Sequence, residues 1–248
     1  MNILLTNDDG IQAPALAVLA RELSALGKVT TVVPDRDQSA TSHSLTLSRP
    51  LRIHRVGEGV MSIDGTPTDC VLIAFHGLLA ARPDLVVSGI NHGPNMGEDV
   101  FYSGTVAAAI EGSMQGVPAI AASLATKEPA DFEAPARFIR RLAEALTRRK
   151  LAGHRVLNVN LPHRPWNEIQ GVRLTRLGKR VYSDTLIEKV DPRGRAYYWI
   201  GGQEPVWESE EGTDFHAVEQ GHISVTPLSL DLTDHRAMVD MEGWELRT

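Results

Sequence analysis

Two adjacent aspartates, Asp8 and Asp9, follow directly on the apolar run Ile3-Leu4-Leu5. Neighbouring carboxylates repel each other unless a proton or a cation comes between them. A hard divalent ion relieves that repulsion, and carboxylate oxygens are its preferred ligands. The same residues also suit an Asp-Gly turn in which Asp9 caps the next helix, so on their own they leave both uses open. A second polar segment, PDRDQSATSHSLTLSRP, offers Asp35, Asp37, Ser39, Ser42, His43 and Ser44. Its length and its place after an apolar run suit a lid or a ligand-bearing loop, and equally a plain surface loop. Spacing does not choose among its side chains.

A third segment, Ser88 to Asn95, combines glycines with Asn91 and Asn95. Glycine allows close approach of backbone to an anion, and asparagine offers a neutral oxygen ligand. The segment leads into Tyr102-Ser103-Gly104-Thr105, just ahead of a predicted helix. Backbone N–H groups at a helix start form an anion site, although capping by Ser103 alone would account for the same residues. With Asn95, the residues Ser103, Gly104 and Thr105 are the expected phosphate contacts. A Cβ at position 104 is expected to obstruct a phosphate while leaving metal affinity little changed. Metal and phosphate sites side by side are the equipment of phosphoryl-transfer hydrolysis. The expectation is a metal-dependent phosphomonoesterase acting on small esters.

The elements that must carry these loops are legible in outline. Apolar runs alternate with helical periodicity through the first two-thirds of the chain, as in a mostly parallel α/β sheet. Leu16, Leu19, Leu23 and Leu26 follow Pro14 at helical spacing, and Val29 to Val33 reads as a strand. Thr66-Pro67-Thr68-Asp69 has the form of a helix start, with proline at the first position and an acid at the third. Val71, Phe75 and Leu78 continue that helix, Leu85 to Ser88 is a buried strand, and Val106, Ile110 and Met114 mark a helix face. Ala119 to Ala122 and Val156 to Leu161 are further strands, with a helix carrying Phe138, Leu142 and Leu146 between them. Ligands of such sheets gather beyond the carboxyl ends of the strands, where all three polar segments fall.

One domain is expected over residues 1–248, with an α/β core over 1–165 and an aromatic-rich extension over 166–248. In that extension VYSDTLIEKVDPRGRAYYWIGG reads as two strands around an Asp-Pro-Arg-Gly turn. All four tryptophans and three of the four tyrosines lie there. Such rings serve subunit contacts or ordinary packing.

Composition narrows the function further. A formal net charge of −6 disfavours a nucleic-acid polymer as partner. The basic cluster Arg140-Arg141 and Arg148-Arg149-Lys150 near a helix end complements the macrodipole and meets solvent. The one cysteine, Cys70, rules out an internal disulfide framework. No apolar run approaches the roughly 20 residues of a membrane span, and the first residues do not read as a signal peptide. A cytoplasmic protein without a membrane partner is expected.

At these polar segments the chain resembles the stationary-phase survival protein (SurE) nucleotidases. The matching stretches are ILLTNDDGIQAPA, VVPDRDQSA, GTPTDC, VVSGINHGPNMGEDVFYSGTVAAAIEG and GHISVTPL, in order over nearly the whole chain. The resemblance implies a three-layer α/β/α, Rossmann-like fold with a C-terminal β-hairpin used in oligomerisation. It also implies a dimer or tetramer with one divalent ion per subunit, manganese or magnesium before calcium. The implied activity is that of a 5′-nucleotidase of acid-phosphatase type, on nucleoside 5′-monophosphates, with 3′-monophosphates and short polyphosphate as further substrates. By motif position the metal ligands would be Asp8, Asp9, Ser39 and Asn91, with Asp8 and Asp9 also the catalytic pair. Gln38 stands where many members of that family carry arginine.

The mechanism expected from these residues is single-metal hydrolysis, with the N–H groups around Gly104 and Thr105 stabilising phosphoryl oxygens. His43 and His92 are candidates for protonating the leaving oxygen. An aspartyl-phosphate phosphatase would need an acid two residues beyond Asp8, where Gly10 stands. A phospho-receiver module would need an aspartate at a middle strand end, where Ser88-Gly89 stands. A dinucleotide-binding domain would need a glycine-rich loop after the first strand, and none is present.

Overall fold

A computed structural model describes residues 1–149, 156–181, 186–200 and 206–244. Lys150 of the basic cluster and Tyr182 of the aromatic extension lie outside the described residues. The chain runs through β1 (Asn2–Thr6), α1 (Pro14–Ser24), β2 (Lys28–Pro34), β3 (Ile53–Gly57), β4 (Val60–Ile63) and α2 (Pro67–Ile73). It continues through β5 (Leu85–His92), α3 (Gly104–Met114), β6 (Ala119–Ala125), α4 (Glu133–Arg148) and β7 (Val156–Pro162). Then come β8 (Val172–Leu174), β9 (Arg180–Val181), β10 (Leu186–Val190), β11 (Ala196–Ile200) and β12 (Val206–Trp207). The last elements are α5 (Asp214–Glu219), β13 (Ile223–Leu228) and α6 (His235–Met241).

Nine strands form one sheet in the order β3-β4-β2-β1-β5-β6-β7-β13-β8. From β4 to β7 every neighbouring pair is parallel. The apolar runs are continuous because both faces of these strands are covered. Ile3 and Leu5 pack in one core with Leu16, Leu19 and Leu23 of α1 and Ile139 and Leu146 of α4. Leu4 lies in the opposite core with Val71 of α2 and Val106 and Ala109 of α3. Helices thus cover both faces, giving the three-layer arrangement. Met114, read from spacing as part of the α3 apolar face, is instead exposed at that helix's end.

Local chemistry fixes the starts of the site-bearing helices. Thr66 and Asp69 form a reciprocal capping box, with Asp69 N–H donating to Thr66 Oγ1 and Thr66 N–H to Asp69 Oδ2. After α2 the helix continues as a wider π turn over residues 74–78. The hairpin β3–β4 occupies a stretch with no strand expected from sequence, and β3 is exposed along its length. A second difference concerns β5, which does not end at Ser88. Its pairing with β6 shifts after Ser88 and resumes at Asn91↔Ser123 and His92↔Leu124. Gly89 makes this possible: its φ is +125°, and a Cβ there would lie 2.3 Å from the Ala122 carbonyl oxygen.

The chain leaves β1 for β2 on one side and returns to β5 on the other. That reversal creates the crevice at which open α/β sheets bind ligands. Past residue 165 the chain returns to the sheet, with β13 antiparallel to β7 and β8 parallel to β13. The expected hairpin is present as β10–β11, with Val190 opposite Ala196 around the Asp191–Gly194 turn. Trp207 stacks on Phe215 with ring centroids 3.5 Å apart, whereas Tyr197, Tyr198 and Trp199 of β11 are exposed.

Candidate active site

Immediately after β1 the Asn7 side chain braces a turn, its Nδ2 donating to Gly10 O at 3.0 Å and its Oδ1 accepting the Gly10 N–H at 3.1 Å. Asp8 and Asp9 stand on this turn. Asp8 is 4% exposed. Its Oδ2 accepts the Thr105 N–H at 2.9 Å, and its Oδ1 accepts the Thr105 hydroxyl. The first turn of α3 is therefore aimed at Asp8 from across the β1–β5 crevice. Asp9 Oδ2 accepts the backbone N–H of His92 at 3.2 Å.

The other two expected ligands reach the same place through their neighbours. Gln38 N–H donates to the Asp8 carbonyl at 2.8 Å, which seats Ser39 beside the acidic pair. Asp37 Oδ1 holds Ser39 by accepting its N–H at 2.7 Å and its hydroxyl at 2.6 Å. Asn91 precedes His92 on β5 and donates its Nδ2–H to Gly93 O at 2.8 Å, keeping its carbonyl oxygen for another partner. Ala40 and Ser42 adopt left-handed φ values of 57° and 55°, and Ser42 docks on the chain before α3 by donating to Tyr102 O and Phe101 O. The three polar segments thus converge on one edge, with Asp8, Asp9, Ser39 and Asn91 each within one residue of a hydrogen bond between segments.

Burial raises the Asp8 carboxyl from 3.8 to about 6, the charge of Asp9 adding to this and the Thr105 bonds opposing it. Asp9 is raised too, first by burial and then by Asp37, against the pull of the His92 N–H and ring. Two desolvated carboxylates with more negative charge beside them form a site that a divalent cation would neutralise. The donor set is all oxygen, which fits manganese, magnesium or calcium rather than a thiolate-seeking metal. Among the described residues no group of three or more His, Cys, Asp or Glu offers an alternative metal centre.

The helix start behaves differently from the simple anion site. Ser103 caps α3, its Oγ accepting the Val106 N–H at 3.0 Å. Thr105 gives both of its donors to Asp8, which leaves the Gly104 N–H directed to neither. A Cβ on residue 104 would lie 2.9 Å from Asp8 Cβ and 3.0 Å from Asp8 Oδ2. The missing side chain of Gly104 makes room for Asp8, so a Cβ there would press on that carboxylate as well as on the helix start. Asn95 is buried in an amide cluster, donating its Nδ2–H to Ser123 Oγ at 2.8 Å. Its carbonyl accepts from Asn158 and Asn160, and its N–H donates to Asn160 Oδ1.

Both candidate acids are engaged by the protein. His43 Nε2 lies 2.9 Å from Glu111 Oε2, and that contact holds the Glu111 carboxyl below its usual value. His92 Nε2–H donates to Glu128 O at 2.7 Å, and its ring meets Phe132 edge-on. Asp214, which the sequence did not single out, is fully buried and accepts the N–H groups of Gly97, Gly178 and Phe215 at 2.8–2.9 Å. It ties the loop after β5 to the C-terminal third. Alternating asparagines inside an apolar strand, VLNVNLP, were the available signal for the amide cluster beneath Asn95.

The family model for survival protein SurE matches residues 3–184. The chain is 52% identical to the 5′-nucleotidase SurE of Geobacter sulfurreducens, covering 99% of this chain and 94% of that protein. It is 54% identical to the 5′-nucleotidase SurE of Gemmatimonas aurantiaca, covering 99% of each. The crystal structure of the SurE protein from Aquifex aeolicus superposes with a TM-score of 0.88 at 42% identity, covering 97% of this chain and 98% of that one. The aspartate pair, the Ser39 loop, Asn91 and the start of α3 all fall inside the matched span, and the chain belongs to the survival protein SurE family.

Proposed function

We propose that this protein is a metal-dependent 5′-nucleotidase that hydrolyses nucleoside 5′-monophosphates to nucleoside and phosphate. The observation that carries the reading is the buried Asp8–Asp9 pair, braced at the β1–β5 crevice and met by the start of α3. The names of the relatives support the nucleotide as substrate. Asp8, Asp9, Ser39 and Asn91 would hold one divalent ion, manganese or magnesium before calcium. Such an ion, when bound, supplies Lewis-acid charge at the phosphoryl oxygens and a more acidic water. Thr105 keeps the Asp8 carboxylate oriented, and each Asp8 oxygen retains a lone pair beyond the one Thr105 uses. The Gly104 N–H, the Ser103 O–H and the second Nδ2–H of Asn95 are the donors these residues keep for the phosphoryl group, while Ser103 Oγ also caps the helix start. Asp37 fixes the Ser39 hydroxyl, and Asp9 is held by the His92 backbone.

The exposed β10–β11 hairpin supports a further part of the reading, self-association into a dimer or tetramer. Ile200 at its end is 95% exposed beside Tyr197, Tyr198 and Trp199, an apolar surface that a second copy would cover. Among the described residues no helix is long and apolar enough to cross a membrane, and a cytoplasmic location is part of the proposal. The test is turnover of a nucleotide panel before and after chelation. Activity should vanish with chelator and return with manganese or magnesium better than with zinc. Full turnover by the metal-free protein would overturn the mechanism.

A further inference from the structure

A cavity of about 360 Å³ opens beyond the ends of β6 and β7, between Leu124, Leu161, Pro135 of α4 and Trp166. That volume lies within the range of small-molecule sites. Its floor is apolar and closed, Leu124 being 2% and Leu161 1% exposed. Trp166 forms a wall, 43% exposed, with its ring set at 6.5 Å from Phe138. Asp131 stands at the open side; its Oδ1 accepts the Glu133 N–H at 2.9 Å, which leaves Oδ2 as an acceptor.

The cavity lies on the same sheet edge as the aspartate pair. Leu124 pairs with Leu161 on one side and with His92 on the other, and the His92 N–H is bonded to Asp9. Two to three strand spacings, roughly 10–14 Å, separate Asp9, which follows β1, from the cavity at the ends of β6 and β7, which is of the order of a mononucleotide's reach from phosphate to base. A flat aromatic wall over an apolar floor, with the Asp131 carboxylate, His163 and Arg164 among the lining residues, suits a heterocycle carrying N–H groups.

We propose that this cavity is the nucleobase subsite, with Trp166 as the stacking face and Asp131 as acceptor for a base N–H. The proposal rests on the nucleotidase reading above. It predicts that the base contributes to binding through residues that play no part in holding the metal or the phosphate.

The test is steady-state kinetics with saturating manganese on the wild type, Trp166→Leu and Trp166→Phe. Each is assayed with adenosine 5′-monophosphate and with ribose 5-phosphate, which keeps the sugar and phosphate and lacks the base. Trp166→Leu should raise KM for the nucleotide about tenfold or more, while kcat/KM for ribose 5-phosphate moves by less than about twofold. Trp166→Phe, which keeps an aromatic face, should fall between. The subsite is refuted if Trp166→Leu lowers both substrates alike or leaves the nucleotide KM unchanged. It is also refuted if the wild type uses the two substrates equally well. A wild type that hydrolyses neither overturns the nucleotidase reading itself.

Discussion

Replacing Asp8 by asparagine should stabilise the metal-free protein at alkaline pH while abolishing its use of metal. Burial holds the Asp8 carboxyl at about 6 instead of 3.8, so the folded chain binds this proton more tightly than the unfolded one. The group's contribution is fully favourable below 3.8 and is lost as pH rises through about 6. At about 1.4 kcal/mol per pKa unit, the ionised group costs the metal-free fold on the order of 3 kcal/mol at pH 8. Asparagine keeps the shape without the charge: its Oδ1 can accept the Thr105 N–H and its Nδ2 can donate to Thr105 Oγ1. For a chain of this length the gain at pH 8 corresponds to a Tm increase on the order of 5–10 °C. It should shrink as pH falls through 6 and disappear below 3.8. Manganese should reverse the order once it is at about a thousand times its Kd, where it adds about 4.1 kcal/mol to the wild type alone. The assay is thermal unfolding of both proteins at pH 8 and pH 5, with chelator and with manganese. If Asp8→Asn were less stable than wild type in chelator at pH 8, or shifted equally at both pH values, burial of an uncompensated carboxylate would not be the governing effect.

Gly104→Ala should weaken manganese binding by on the order of tenfold together with kcat/KM, because the new Cβ falls on Asp8; normal manganese titration with impaired phosphate inhibition would return Gly104 to the anion site alone. Truncating Tyr197, Tyr198 and Trp199 to alanine should move the protein toward monomer on a sizing column. Unchanged size with a lowered Tm would instead make these rings part of the internal packing.

The parts of the fold visible in the sequence are those set by local chemistry or by burial on both faces. Ile3-Leu4-Leu5 and Leu85-Val86-Val87 read as strands because every residue meets a helix layer. The Thr66–Asp69 box and the Asp191–Gly194 turn carry their own hydrogen bonds, so four residues suffice to identify each. The β3 strand was missed because it is exposed and has no inward-facing alternation to display. Gly89 looked like the end of β5, whereas its left-handed φ lets the strand bulge and resume. The insertion of β13 beside β7 depends on residues more than sixty positions apart, beyond the reach of periodicity.

For the proposed site, the sequence singled out polar segments that the structure brings to one sheet edge, and left their arrangement open. Composition brought acids, asparagines and a helix start to one sheet edge, but no spacing selected Ser39 from its loop. The structure places that residue near the acidic pair, because the neighbouring Gln38 N–H anchors the loop on the Asp8 carbonyl, a main-chain bond with no side-chain signature. The start of α3 was read as facing a ligand anion, yet its closest anion is Asp8. A helix N-terminus favours negative charge whether it belongs to a ligand or to the chain itself. Here the partial charge of α3 and the Thr105 hydroxyl hold a carboxylate that burial would otherwise drive further toward its protonated form. The proposed metal and phosphate halves of the site would therefore share one support. Any change that shifts the first turn of α3 moves Asp8 with it, and the two functions should respond together rather than separately.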